Sequence, residues 1–331
     1  MDATASRPLR VGLFLPTWTS GEGLPAWSSA GYPDGPRWTD LLATARLAEQ
    51  AGFDSLWVCD HMLMDDDWGA PDDGVLRPAA LGSGTWDAWA VLAGLAAATT
   101  RIELGTMVAC TAYQNPARLA RLVDTIDEIS GGRLVAGLGA GDHWSEFLRF
   151  GVPIERPVAR FEEALRIIVP LLREGRVDFG GEFYAARDCE LSPRGRPGGP
   201  PILIGALGSG PRMLRLVATY ADVWNGWYAF DDEPALPNLE IQQAKVTEAC
   251  VVHGRDPLTL GRSAGVSVAL PGAEGSGASL RGTHEEIAAQ LLAIAATGIT
   301  HVQVVASPLG PAGVEGMARV IEHLDRAAAV R

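Results

Sequence analysis

Eight short apolar runs, each followed by a helical stretch, constrain this chain more than any other feature. The runs are Arg10–Pro16, Ser55–Cys59, Ile102–Ala109, Leu134–Leu138, Ile202–Ile204, Asp222–Gly226, a stretch within Leu258–Leu270 broken near Gly261-Arg262, and Ile299–Val305. Most are unbroken rather than alternating, the mark of parallel strands buried on both faces under helices. Between them, helical spacing of apolar residues covers 38–50, 86–99, 117–129, 158–174, 211–220, 237–253, 283–297 and 314–329. Leu41, Leu42, Ala45 and Ala48 form one such face, and Leu119, Leu122, Val123 and Ile126 another. Thr283 and Glu286 have the spacing of a capping box. Eight βα units point to a closed (β/α)8 TIM barrel. The competing architecture is an open doubly wound sheet, but Val11–Pro16 ends without the glycine fingerprint of a dinucleotide fold.

With 331 residues, 47% of them hydrophobic, the chain can build this barrel as a single domain, 1–331. Residues 1–8 read as a disordered lead. Two stretches exceed ordinary links and are expected to shape or cover a pocket. One is 62–85, after the second strand, with the acidic run Asp65-Asp66-Asp67. The other is 175–199, before the fifth, where Val177-Asp178-Phe179 and Phe183-Tyr184 suggest a small hairpin.

The formal net charge of −13, from 40 acids against 27 bases, argues against nucleic acid or an anionic membrane as partner. Cys59, Cys110, Cys189 and Cys250 have neither CxxC nor zinc-ligand spacing and suit a reducing compartment. The N-terminus lacks the apolar core of a signal peptide, and no apolar stretch is long enough to span a bilayer. A soluble, cytoplasmic protein is expected.

In a (β/α)8 barrel chemistry gathers where strands end. Those ends hold Trp18, Asp60-His61, Thr106 to Thr111, Gly139 to Trp144, Gly205 to Gly210, and Asn225 with Trp227. His61 is the leading catalytic candidate, since imidazole exchanges a proton near neutral pH. Asp60 could orient it or could only order the loop. His143 is a second candidate. No HxH or HExxH spacing supports a metal, and none is expected. Trp18, Trp144 and Trp227 could wall a planar ligand or plug the barrel. Cys110 reads as lining. Gly139 and Gly141 would leave room for a flat ring. The turn Gly205-Ala206-Leu207-Gly208-Ser209-Gly210 joins a buried strand to a helix, an arrangement that presents backbone N–H groups to a phosphate.

Six pieces together resemble the bacterial luciferase-like flavin and deazaflavin oxidoreductases. They are VGLFLP at 11–16, AEQAGFDSLWVCDHM at 48–62, RIELGTMVAC at 101–110, NPARLARLVDTIDEISGGRLVAGLGAG at 115–141, PPILIGALGSGPRMLRLVATYADVWNG at 200–226 and GTHEEIAAQLLAIAATGITHVQV at 282–304. The resemblance implies a barrel with a flavin-like ring at its mouth, over a non-proline cis peptide within Thr106-Met107-Val108. It also implies a cofactor phosphate at Gly205, Gly208, Ser209 and Gly210. Asp60-His61 looks more like the F420 branch, which transfers hydride to or from a small organic substrate. The segment 137–141 lacks an arginine that FMN luciferases place near Ala140. Arg118, Arg121 and Arg212 are candidates for the acidic tail of F420. The alternatives are a reduced-FMN monooxygenase served by a partner flavin reductase, and a non-enzymatic flavin-binding barrel. A homodimer is the expected assembly, as is common in the family.

Overall fold

The computed structural model describes residues 7–19, 32, 35–64, 84–206, 210–227, 235–273 and 280–329. Eight parallel strands close into a barrel. In chain order the elements begin with β1 Arg10–Phe14, α1 Trp38–Gln50, β2 Ser55–Val58, α2 Ala88–Ala98, β3 Glu103–Thr106, the short β4 Ala109–Cys110, α3 Pro116–Ser130 and β5 Leu134–Gly139. They continue with α4 Trp144–Arg149, α5 Pro157–Glu174, β6 Arg176–Gly180, β7 Ala185–Glu190, β8 Ile202–Gly205, α6 Pro211–Tyr220 and β9 Val223–Trp227. The last are α7 Ala235–Val252, β10 Gly261–Ala269, α8 His284–Ala296, β11 His301–Ser307 and α9 Pro311–Ala329. The parallel pairing runs β3-β2-β1-β11-β10-β9-β8-β5, and β3 pairs with β5 to close the ring. The short β4 continues β3 past a cis Met107-Val108 peptide and pairs with β5.

The strand interior explains several glycines that pattern reading passes over. Trp57 is buried inside the barrel, and a Cβ on Gly12 or on Gly105 would lie 2.6 Å or 2.4 Å from its indole ring. Gly265 makes the same room for Trp227. The Trp57 Nε1–H donates to Ser55 Oγ over 2.7 Å, and Ser55 Oγ lies 2.7 Å from His301 Nε2. Burial, reinforced by Arg10, pushes His301 down to about 3, so this histidine is neutral and structural. The helices bury one stripe each. On α5 that stripe is Ala159, Phe161, Ala164, Leu165, Ile167, Ile168, Leu171 and Leu172.

Three expectations are corrected. Residues 144–149, read as loop, form α4. No break occurs at Gly261-Arg262; β10 starts there and runs to Ala269. The 175–199 insertion does hold an antiparallel hairpin, but Phe183-Tyr184 form its turn and Ala185–Glu190 its second strand. The Glu163 carboxylate accepts the N–H groups of Glu182, Phe183 and Tyr184, which places the turn ahead of the pairing strand. The capping box at Thr283 and Glu286 is present. Residues 65–83, which include the acidic run, and most of 1–8 lie outside the described residues.

The tightest approach to backbone within the strands is at Gly137, where a Cβ would stand 1.9 Å from the Thr106 carbonyl oxygen. Backbone cannot swing aside as a side chain can. Gly137→Ala is therefore expected to cost about 3 kcal/mol or more of stability in urea unfolding, against a small effect for an alanine at the open Gly84.

Candidate active site

The ends of β2, β4 and β5 converge on one buried carboxylate. Glu146, on the short helix after β5, has no exposed side-chain surface. Its Oε2 lies 3.0 Å from His61 Nδ1, 2.5 Å from Tyr113 Oη and 3.3 Å from His143 Nδ1. Its Oε1 accepts the backbone N–H of Met62 and, over 2.8 Å, that of Leu63. The His61 and His143 rings meet edge to face, 5.6 Å between centroids. A carboxylate can only accept, so His61 Nδ1 carries the hydrogen and Tyr113 donates.

The electrostatics follow from burial and partners. Burial opposes charge on Glu146, but the bonds from His143, His61 and Tyr113 overcome it and hold the carboxyl well below the usual range. For His61 too, burial works against the cation. The Glu146 bond and charge, with Asp142 and Asp60, outweigh it and raise the imidazole. Burial and the adjacent Glu146 and Cys110 push the Tyr113 phenol up. Asp60 is pushed up to about 7, chiefly by burial and then by Asp87. Burial also pushes the thiols of Cys59 and Cys110 up to about 11 and about 12, so neither is a ready nucleophile.

The sequence-derived candidates divide clearly. His61 and His143 share one cluster. The carboxylate bonded to His61 is Glu146 rather than the adjacent Asp60. Trp18 is 4% exposed and packs with Phe14, Trp57, Cys59, Met107, Leu203, Val305 and Leu309. Trp227 meets Phe14 edge-on at 5.6 Å. Trp18 and Trp227 thus both pack against Phe14. Trp144 opens α4 and lines a small recess with Gly141, Asp142, Phe147, Ile154 and Pro157. The space at Gly139 is taken by Val108, and that at Gly141, where φ is +83°, by Cys110 and Phe147, so strand packing already uses both. Cys110 is buried, and its Sγ lies 3.8 Å from the Ala140 carbonyl oxygen. Thr106 is committed to the Gly137 carbonyl at 2.6 Å. Gly208 and Ser209 lie outside the described residues. Arg121 binds the carbonyls of Glu190 and Ser192, Arg212 binds Glu162, and Arg118 is exposed.

Glu146 and Tyr113 escaped the sequence reading. Glu146 stands three residues after His143, a same-face spacing on a helix, but the segment was read as loop. Tyr113 gave no signal. The insertion after β2 leaves and returns beside this cluster: Leu63 bridges Gly84, and the Thr85 hydroxyl donates to the His61 carbonyl.

Two features suit a large anionic ring cofactor. Gly210 caps α6 with no side-chain hydrogen bond, and a Cβ there would meet nothing within 4 Å among the described residues. The first turn of α6 therefore presents N–H groups at an open position. Trp18 Nε1 is buried at the mouth without a hydrogen-bond partner among the described residues. His61, His143 and Glu146 are also the one group among the described residues with donor atoms close enough, within 4.8 Å, to share a metal ion. The Glu146 oxygens are already occupied by hydrogen-bond donors, so the arrangement is a hydrogen-bonded hub.

The profile of the family described as "Luciferase-like monooxygenase" matches residues 9–269, and the chain belongs to that family. A 5,10-methylenetetrahydromethanopterin reductase of Archaeoglobus fulgidus is 34% identical over 211 residues, 63% of this chain and 56% of that protein. An F420-dependent glucose-6-phosphate dehydrogenase of Beutenbergia cavernae is 37% identical over 188 residues, 55% of this chain and 51% of that one. The chain thus matches little more than half the length of these relatives. Among solved structures, an F420-dependent secondary alcohol dehydrogenase with an F420-acetone adduct superposes with a TM-score of 0.74 at 19% identity, over 96% of this chain and 99% of that one. That likeness extends to the fold. No described helix is long and apolar enough to cross a membrane.

Asp60 carries the pH signature of this site. Its carboxyl has about 3.9 as ordinary value and about 7 in the folded chain. The unfolded chain releases that proton first, so stability falls as pH rises between the two values. Asp60→Asn is expected to raise the melting temperature more at pH 8 than at pH 5, read by thermal unfolding at both.

Proposed function

We propose that this chain is an F420-dependent oxidoreductase that moves a hydride between the deazaflavin and a small organic substrate. The observation that carries the reading is the placement of His61. Its imidazole, at the end of β2, is fixed at one ring nitrogen, and the paired strand β3 runs into the cis Met107-Val108 peptide. The F420-dependent relative, 37% identical where it aligns, supports the choice of deazaflavin.

What the deazaflavin supplies when bound is two-electron hydride exchange; proton handling and positioning fall to the chain. Thr106, Met107, Val108, Gly205 and Gly210 would hold the ring and the phosphate, with Gly208 and Ser209 in the same turn. The N–H groups opening α6 offer the phosphate its donors and a positive dipole end. Trp18 and Trp227 close the barrel below and keep water from entering beneath the ring. His61 exchanges the proton that accompanies hydride transfer. With Nδ1–H committed to Glu146, Nε2 is the atom that gives a proton to a substrate oxygen in reduction or takes it in oxidation. The insertion that returns beside His61 sets the substrate class.

Fluorescence titration with F420 and with FMN tests the assignment. Tighter binding of F420 supports it, and preference for reduced FMN moves the chain to the monooxygenase reading. Gly210→Asp separates fold from site. Aspartate caps a helix slightly better than glycine, so stability should hold or rise. The new negative charge faces the phosphate position, and F420 affinity should fall about tenfold. His61→Gln should lower turnover by roughly 10²-fold or more and leave F420 affinity within about threefold.

A further inference from the structure

The geometry points to Glu146 as a positioning residue: it fixes the His61 ring by its Nδ1–H, sets a buried negative charge beside the imidazole, and so leaves Nε2 as the ring nitrogen that exchanges the proton. Three observations carry this. The carboxylate is entirely buried, so it must be satisfied internally. The donors come from two strand ends around the mouth, Met62, Leu63 and His61 after β2 and Tyr113 after β4, while His143 after β5 stands 3.3 Å from the same carboxylate oxygen. And the acceptor-only chemistry of a carboxylate leaves His61 one tautomer. Glu146 does not have to reach a substrate to act. The inference concerns the protonation of His61 and stands apart from which cofactor binds.

The charged and titratable groups around His61 are Glu146, Asp142 and Asp60, all favouring the cation, and His143, which stands against the same carboxylate oxygen. Tyr113 competes for that oxygen. The two partners therefore act on His61 with opposite sign. Removing the charge of Glu146 should lower the midpoint at which His61 titrates. Removing the Tyr113 hydroxyl should leave more of the carboxylate to His61 and raise it.

Histidine ring ¹⁵N chemical shifts, followed through a pH titration of the full chain, read this directly. In the wild-type protein His61 should titrate above the ordinary histidine range, with its hydrogen on Nδ1 in the neutral form. Glu146→Gln should move that midpoint down, and Tyr113→Phe should move it up or leave it. In turnover assays the alkaline limb should shift the same way in each variant. Glu146→Gln should lose roughly tenfold or more in kcat where wild-type His61 is still charged, with KM changed less than about threefold. A His61 midpoint unmoved in Glu146→Gln, or lowered as much in Tyr113→Phe, overturns the proposal. Should Glu146→Gln fail to fold, the wild-type titration decides, and a His61 midpoint at or below the ordinary value overturns it. Stoichiometric zinc or iron in the purified protein, retained through dialysis, would make the same groups a metal centre and equally overturn it.

Discussion

A carboxylate withdrawn wholly from water is the constraint on which the mouth of this barrel depends. An unpaired buried charge is costly by several kcal/mol, so Glu146 is tenable only while its surroundings supply donors. They come from segments far apart in the chain, at 61–63 and 113, and His143 stands 3.3 Å from the same carboxylate. Each of these segments follows a different barrel strand. The carboxylate thereby fixes the relative positions of three loops and sets the ring of His61 among them. Low local dielectric makes each of these bonds stronger than in water and makes the loss of any one expensive.

Beneath that hub the barrel is filled by matched pairs of large and absent side chains. Trp57 fits because Gly12 and Gly105 have no Cβ, and Trp227 fits because Gly265 has none. Trp18 and Trp227 then pack against Phe14, one tilted and the other edge-on. The closest strand approach, Gly137 against Thr106, lies where β3 gives way to the bulge and β4. The interior is not uniformly apolar: Asn225 donates to Ser263 and Gln303, and Ser55 links Trp57 to His301. These polar groups are paired with one another below the mouth, whereas His61 keeps 20% of its side-chain surface exposed. That difference separates a structural histidine, 301, from one that can exchange a proton with a bound molecule.

The barrel and the described ends of the insertion after β2 meet beside His61. Seven of the eight barrel strands and the start of α6 lie within the part matched by the luciferase-like family, residues 9–269, and β11 lies beyond it. The 62–85 insertion is anchored at both ends, by the Leu63–Gly84 bridge and the Thr85 bond to His61.

The sequence by itself determined the barrel, because periodicity is local: unbroken apolar strands, helical stripes, caps and glycine turns are each written within about a dozen residues. It therefore placed α1 and α6 at their observed bounds, and the strand ends singled out His61 and His143, while the cis bond within Thr106–Val108 was implied by the family resemblance. It misread Gly261-Arg262 as a break, since a glycine beside an arginine resembles a turn until Val223 and Trp224 are known to pair with them. What tertiary structure alone decided is which groups meet. Glu146 replaces Asp60 as the partner of His61, Tyr113 joins with no local signal, and Gly139 makes room for Val108. Contacts among side chains drawn from separate strands depend on barrel closure, and no window of sequence contains both partners.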